Sequence, residues 1–265
     1  PKDVLLVLDR SGSMEGEKFR QAQEALRYVL QRLQPEDRFY LQAFSTGVQA
    51  YATGLRSADE VPEALAWVYR LGASGSTDIN RALLETAAAA SEARDPQRPL
   101  YLIFLTDGLP TVGELQTQAI LDNFLRTAPD NLRLFAFGVG YDVDTILLDT
   151  LSGDHNGTST YVRPQEALGE KLSAFYETIS RPVLTGLELD FGGLAVYDLH
   201  PNPLPDLFAG SQMLLAGRYR SGGTFDLTVR GQVGAAQVEL GYPEQVFARD
   251  SRTGEPEMGA VARIW

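Results

Sequence analysis

Three stretches of this chain place oxygen-bearing side chains where an apolar run or a flexible loop stops. VLLVLDRSGSM (4–14) runs five apolar residues into Asp9 and sets Ser11 and Ser13 two and four positions beyond it. PLYLIFLTDG (99–108) is a second apolar run, closed by Asp107 and Gly108, and GASGST (72–77) is a Gly/Ser loop that delivers Thr77 to a helix start. Two carboxylates and three hydroxyls are hard donors, the set that suits a divalent cation. Taken singly, each residue has a plainer role, the aspartates in turns and Ser11, Ser13 or Thr77 as helix caps. The specificity lies in the set and in its order along the chain.

The surrounding pattern says which elements must position these residues. An uninterrupted apolar run such as VLLVL reads as a strand buried on both faces, and 17–33 then puts Phe19, Ala22, Leu26, Val29 and Leu33 on one helical face. Strands are predicted at 38–44, 99–106, 132–139 and 158–162, and helices at 59–71, 78–93, 114–127 and 165–180. The repetition predicts an α/β fold, a doubly wound and mainly parallel sheet with helices on both faces. Such sheets bind ligands in the crevice outside the carboxyl ends of the strands, where the strand order reverses. Asp9 and Asp107 stand at two such ends, and Gly12 allows the bend that turns the serines back beside Asp9.

From RPVLTG (181–186) onward the character changes to short alternating runs, GLELDF, LAVYDL, QMLLAGRY, TFDLTVRG and QVELGY, separated by Gly, Pro and Asn. That is the pattern of a C-terminal antiparallel, β-sandwich-like domain of about five strands. The expected division is therefore 1–180 and 181–265. The chain starts without Met and stops in VARIW, so it is expected to be a piece of a longer protein with its second domain truncated.

Composition removes several function classes. A formal charge of −12 over 265 residues is wrong for a general nucleic-acid binder, which needs clustered Lys and Arg. With no Cys there are no disulfides and no thiolate metal sites. No stretch approaches the roughly 18 apolar residues of a spanning helix, so no membrane insertion is expected in this segment. An enzyme reading, such as a metal-dependent phosphohydrolase, lacks parts. There is no phosphate-binding Gly-x-x-x-x-Gly-Lys, no dinucleotide fingerprint after the first strand and no second carboxylate two residues from Asp9. His155 and His200 are the only histidines. His155, in SGDHNGTS, reads as a solvated loop residue, and His200 falls in the second domain.

DRSGSM, GSTDI and FLTDG resemble the von Willebrand factor A domain and its metal-ion-dependent adhesion site, over residues 3 to about 180. The resemblance implies Asp9, Ser11 and Ser13 as first-loop metal ligands, Thr77 as the second-loop ligand and Asp107 as the third, some of them through water. It implies Mg²⁺, with Mn²⁺ or Ca²⁺ as alternatives, and a non-enzymatic module whose metal accepts a Glu or Asp carboxylate from a partner protein. The alternative is an intracellular assembly subunit docking on an ATPase or another scaffold. A monomer is expected, in a secreted or cell-surface setting, with the cytoplasm left open. The segment 202–231 is similar to the region after the A domain in inter-alpha-trypsin inhibitor heavy chains and their bacterial relatives, a group in which a β-domain precedes the A domain. One departure is Asp78, where the family pattern has Asn. The helix 165–180 runs into Arg181 and Pro182 with almost no linker, so its displacement on ligand binding is expected to pass to the β-rich region.

Overall fold

The run VLLVLD is wholly buried in the structure, a computed structural model that describes residues 1–92, 98–163, 165–179, 182–202, 204, 206–208, 213–233 and 236–248. The chain separates into two compact units, Pro1–Glu177 and Thr178–Trp265. In the first, strands β1 (Asp3–Asp9), β2 (Arg38–Phe44), β3 (Val48–Ala50), β4 (Arg56–Ser57), β5 (Leu100–Thr106), β6 (Leu132–Val139) and β7 (Ser159–Val162) form one seven-stranded sheet. Its order is β3-β2-β1-β5-β6-β7, with β4 also on β2. The pairs among β2, β1, β5, β6 and β7 are all parallel, and only β3 and β4 are antiparallel. Helices α1 (Glu17–Leu30), α2 (Val61–Val68), α3 (Ile79–Glu92), α4 (Thr117–Thr127), α5 (Thr145–Asp154) and α6 (Leu168–Ile179) connect them.

The strands carry apolar residues on both faces because both faces are covered. Leu5, Val7, Phe104, Leu134 and Ala136 pack with Ile79 and Leu83 of α3, Ile120 and Phe124 of α4, and Leu147, Leu148 and Leu151 of α5. Alternate residues point the other way, and Phe135 and Phe137 meet Phe175 of α6 at ring-centroid distances of 4.7 and 5.2 Å. On that side α1 runs beside α6, with Gln21 accepting from the Leu168 backbone N–H. The doubly wound, mainly parallel expectation is met.

Two details differ. α1 ends at Leu30, and Leu33 lies half-buried past its end. α5 was not expected at all, because TILLDTLSGD mixes a short apolar run with Gly, Ser and Thr, and its Ile146 is left in solvent. Its one local signal is Asp144, whose carboxylate accepts from the Leu147 N–H as an N-cap.

The second unit holds β8 (Pro182–Asp190), β9 (Val196–His200), β10 (Leu207–Phe208), β11 (Ala216–Tyr219), β12 (Gly223–Val233) and β13 (Ala236–Phe247). They form an antiparallel four-stranded sheet, β10-β8-β12-β13, and a two-stranded one, β11-β9. Phe247 joins them, meeting Phe191, Tyr219 and Phe225 edge-on. No helix follows Ile179 among the described residues. Ser180 and Arg181, on which the expected coupling rests, lie outside the described residues, as does 249–265.

Candidate metal centre

The chain leaves β1 for β2 on one side and later returns to pair β5 on the other, so the strand order reverses between β1 and β5. Leu8 stands opposite Leu105, and the two acidic ends emerge side by side. Asp9 is fully buried. Its Oδ1 accepts the Ser11 backbone N–H at 2.7 Å and its Oδ2 accepts the Thr106 hydroxyl at 2.6 Å. Burial pushes the Asp9 carboxyl above its usual range, and the Asp107 charge adds to this. The bonds from Thr106 and Ser11 oppose it.

Ser11 precedes a single 3₁₀ turn, Gly12–Met14, yet its side chain makes no cap bond there. The hydroxyl instead lies 3.0 Å from the Ser13 Oγ, which donates to Asp107 Oδ1 at 2.7 Å. With the Ser13 proton committed to Asp107, the proton between the serines comes from Ser11. The second loop is tied to the first by the Gly12 N–H on the Gly75 carbonyl at 2.9 Å. Gly75 has φ +87°, and a Cβ there would stand 2.8 Å from Thr46 Oγ1, so this tie requires glycine. Thr77, also buried, donates its N–H to Thr111 Oγ1 at 2.8 Å and accepts the Thr111 N–H at 2.9 Å.

Gly108 shows how closely the loops converge. A Cβ there would lie 3.9 Å from Ser13 Oγ and 4.0 Å from Thr77 Oγ1, so hydroxyls of two loops meet over the backbone of the third. Asp9, Ser11, Ser13, Thr77 and Asp107 thus occupy one patch. Asp78 is engaged at the start of α3, its Oδ1 accepting the Arg81 N–H at 3.0 Å, which is a helix-capping task.

Three contributors were not singled out from sequence. Thr106 anchors Asp9, Thr111 holds Thr77, and Lys18 on α1 forms an ion pair with Asp107 Oδ2. Thr106 carried a signal as the polar residue that ends a buried apolar run. Lys18 carried another, a cation in the first turn of a helix, where the dipole disfavours it. His155 corrects an expectation. It is 7% exposed, sits edge-on to Phe124 at 4.8 Å and has its pKa lowered by burial. Its carbonyl accepts the Leu134 N–H, four residues along β6 from Gly138, the register partner of Thr106. That is roughly 13 Å along the strand, away from the carboxyl end.

The donor set fits a hard divalent cation. Every group is an oxygen, two are carboxylates that balance a double charge, and three are neutral hydroxyls. Among the described residues no three of His, Asp and Glu gather to hold a metal.

A doubly wound sheet with this constellation at its switch point defines a class, and comparison with known proteins gives the family. The von Willebrand factor type A domain model matches residues 3–174, and the chain belongs to that family. It is 35% identical over 226 residues to inter-alpha-trypsin inhibitor heavy chain H2 of Sus scrofa, covering 83% of this chain and 24% of that protein. It is 31% identical over 277 residues to heavy chain H4 of Homo sapiens, covering 100% of this chain and 30% of that one. The chain therefore spans less than a third of these curated relatives. Among solved structures, a von Willebrand factor type A protein from Catenulispora acidiphila aligns with TM-score 0.67 at 20% identity, over 92% of this chain and 65% of that one. Proximal thread matrix protein 1 from the mussel byssus, solved with a zinc-occupied MIDAS motif, aligns with TM-score 0.54 at 14% identity, over 73% of this chain and 50% of that one.

Proposed function

We propose that residues 1–180 form a divalent-cation-dependent protein-binding module in which Asp9, Ser11, Ser13, Thr77 and Asp107 hold Mg²⁺, directly or through water. The observation that carries this reading is the meeting of three loops at the sheet's switch point, where two carboxylates and three hydroxyls face one another. When bound, a Mg²⁺-class ion supplies an incompletely filled, electropositive coordination shell that accepts a carboxylate oxygen from a partner's Glu or Asp. The chain's own work is to preorganise the donors. Thr106 and the Ser11 N–H fix Asp9, Thr111 fixes Thr77, and Gly12 with Gly75 locks the two loops together.

A non-enzymatic role fits the surroundings. The one histidine of this unit is buried against Phe124 and its backbone is anchored well down β6, out of hydrogen-bond reach of the centre, so it is no general base there. The membership of the family and the likeness to inter-alpha-trypsin inhibitor heavy chains support a protein-interaction role. No helix among the described residues is long and apolar enough to cross a membrane.

Isothermal titration with Mg²⁺ and Mn²⁺ tests the centre. The parent is expected to bind one ion, and Asp9→Ala combined with Asp107→Ala is expected to abolish binding. Equal affinity in the double variant refutes the assignment. Capture of a partner from the source organism's surface fraction is expected to be lost in EDTA.

A further inference from the structure

We propose that Lys18 is a built-in counter-cation of this centre, which a divalent ion must displace, so that one lysine sets how tightly the protein holds metal. The inference rests on the reading of the five oxygens as a cation site. Asp107 has no exposed side-chain surface, and both of its oxygens are engaged, Oδ1 by the Ser13 hydroxyl and Oδ2 by the Lys18 ammonium. The lysine is 37% exposed and reaches the site from the second residue of α1. Its Nζ also lies beside the backbone after β6, where a Cβ on Gly140 would stand 3.9 Å away.

This placement works against the helix. A positive charge in the first turn opposes the helix dipole, so Lys18 is kept there by Asp107 rather than by α1. In the arrangement described, the first and third loops are bonded to each other. The Ser11 hydroxyl serves Ser13, the Ser13 hydroxyl serves Asp107, and Lys18 neutralises the second oxygen. A divalent ion drawn to these oxygens meets a resident positive charge on the same carboxylate. Charges of +1 and +2 about 5 Å apart repel by enough, even at the dielectric of bulk water, to weaken binding by about tenfold.

The residue type matches a releasable partner. At the opposite end of β1 arginines grip Asp3, through Arg38 and Arg98, and the lysine there, Lys2, differs from Lys18 in being buried where it pairs with Asp37. A guanidinium makes a rigid, bidentate fork, whereas an ammonium is a point charge on a flexible stem. The exposed stem of Lys18 lets its head swing into water when Asp107 is claimed by a metal.

The test is titration of the EDTA-stripped chain with Mg²⁺ and with Mn²⁺, in the parent, Lys18→Met, Lys18→Gln and Lys18→Arg. Both neutral variants are expected to bind each ion at least about tenfold more tightly than the parent, and Lys18→Arg no more tightly than the parent. Thermal melting gives a second readout. At low ionic strength the metal-free neutral variants should melt below the parent and gain more on addition of Mn²⁺. Neutral variants with parental or weaker affinity overturn the proposal while leaving the metal centre intact. Absence of binding in the parent and all variants overturns the metal reading and the proposal together.

Discussion

Thr106→Val removes one hydroxyl without changing the shape of a fully buried site. Thr106 and Asp9 are both fully buried, and the principal lost bond is the 2.6 Å donation to Asp9 Oδ2, together with the longer 3.4 Å bond that the hydroxyl accepts from the Gly108 N–H. A hydrogen bond to a charged group contributes about 1.5–3 kcal/mol, and its loss inside the protein falls at the upper part of that range because water cannot replace it. For a unit of this size each kcal/mol moves Tm by about 2–4 °C, so a loss of about 2–3 kcal/mol is expected to lower Tm by about 4–12 °C. The pH dependence has a definite sign. Asp9 has a folded pKa raised above the ordinary 3.8, so the folded chain holds that proton more readily than the unfolded one. Asp9 therefore costs stability above its folded pKa and less as pH falls through it. Losing the Thr106 donor raises that pKa further, so the penalty is full at neutral pH and shrinks on acidification. Urea unfolding in EDTA from about pH 4 to 8 measures this, with Thr106→Ser as the control that keeps the hydroxyl. Parental stability of Thr106→Val at neutral pH, or a penalty that grows on acidification, refutes the account of how Asp9 is held.

Two further outcomes follow from the packing of α5 against β6. His155 has a folded pKa lowered from the usual 6.5 by burial, so its contribution is complete above about pH 6.5 and is lost as pH falls toward the folded value. The parent should therefore lose more stability than His155→Leu between neutral and mildly acidic pH, by at most about 1.4 kcal/mol per pH unit, in parallel chemical denaturation. Gly157→Ala would set a Cβ 1.7 Å from the Leu134 carbonyl oxygen, a backbone atom that cannot yield, and should cost about 3 kcal/mol or more, read as lost soluble yield and a lowered Tm.

Much of the frame was legible because its physics is local. A strand covered on both faces must be apolar at every position, so VLLVL and LYLIFL announce themselves without knowledge of their neighbours. The amphipathic period of α1, α3 and α4 is equally a property of adjacent residues. Asp9, Ser11 and Ser13 lie on one short loop, and two strand ends carrying acids suffice to suggest a crevice. The limits of local reading appear where propensity is weak. TILLDTLSGD became α5 because its leucines complete the face of β6, and β13 continues through Pro243 to Phe247, past the run QVELGY read from the sequence.

What only the tertiary structure decided is which distant groups complete each contact. Thr106 lies 97 positions from Asp9, and Lys18 lies 89 from Asp107. No periodicity links such pairs, and parallel register alone brings β5 beside β1. His155 makes the same point in reverse. Its loop composition suggests solvent, yet Phe124 of α4 and the Leu134 backbone enclose it. Side-chain chemistry and periodicity are written in the chain, whereas burial and pairing between residues far apart depend on how whole elements pack, which no short stretch contains.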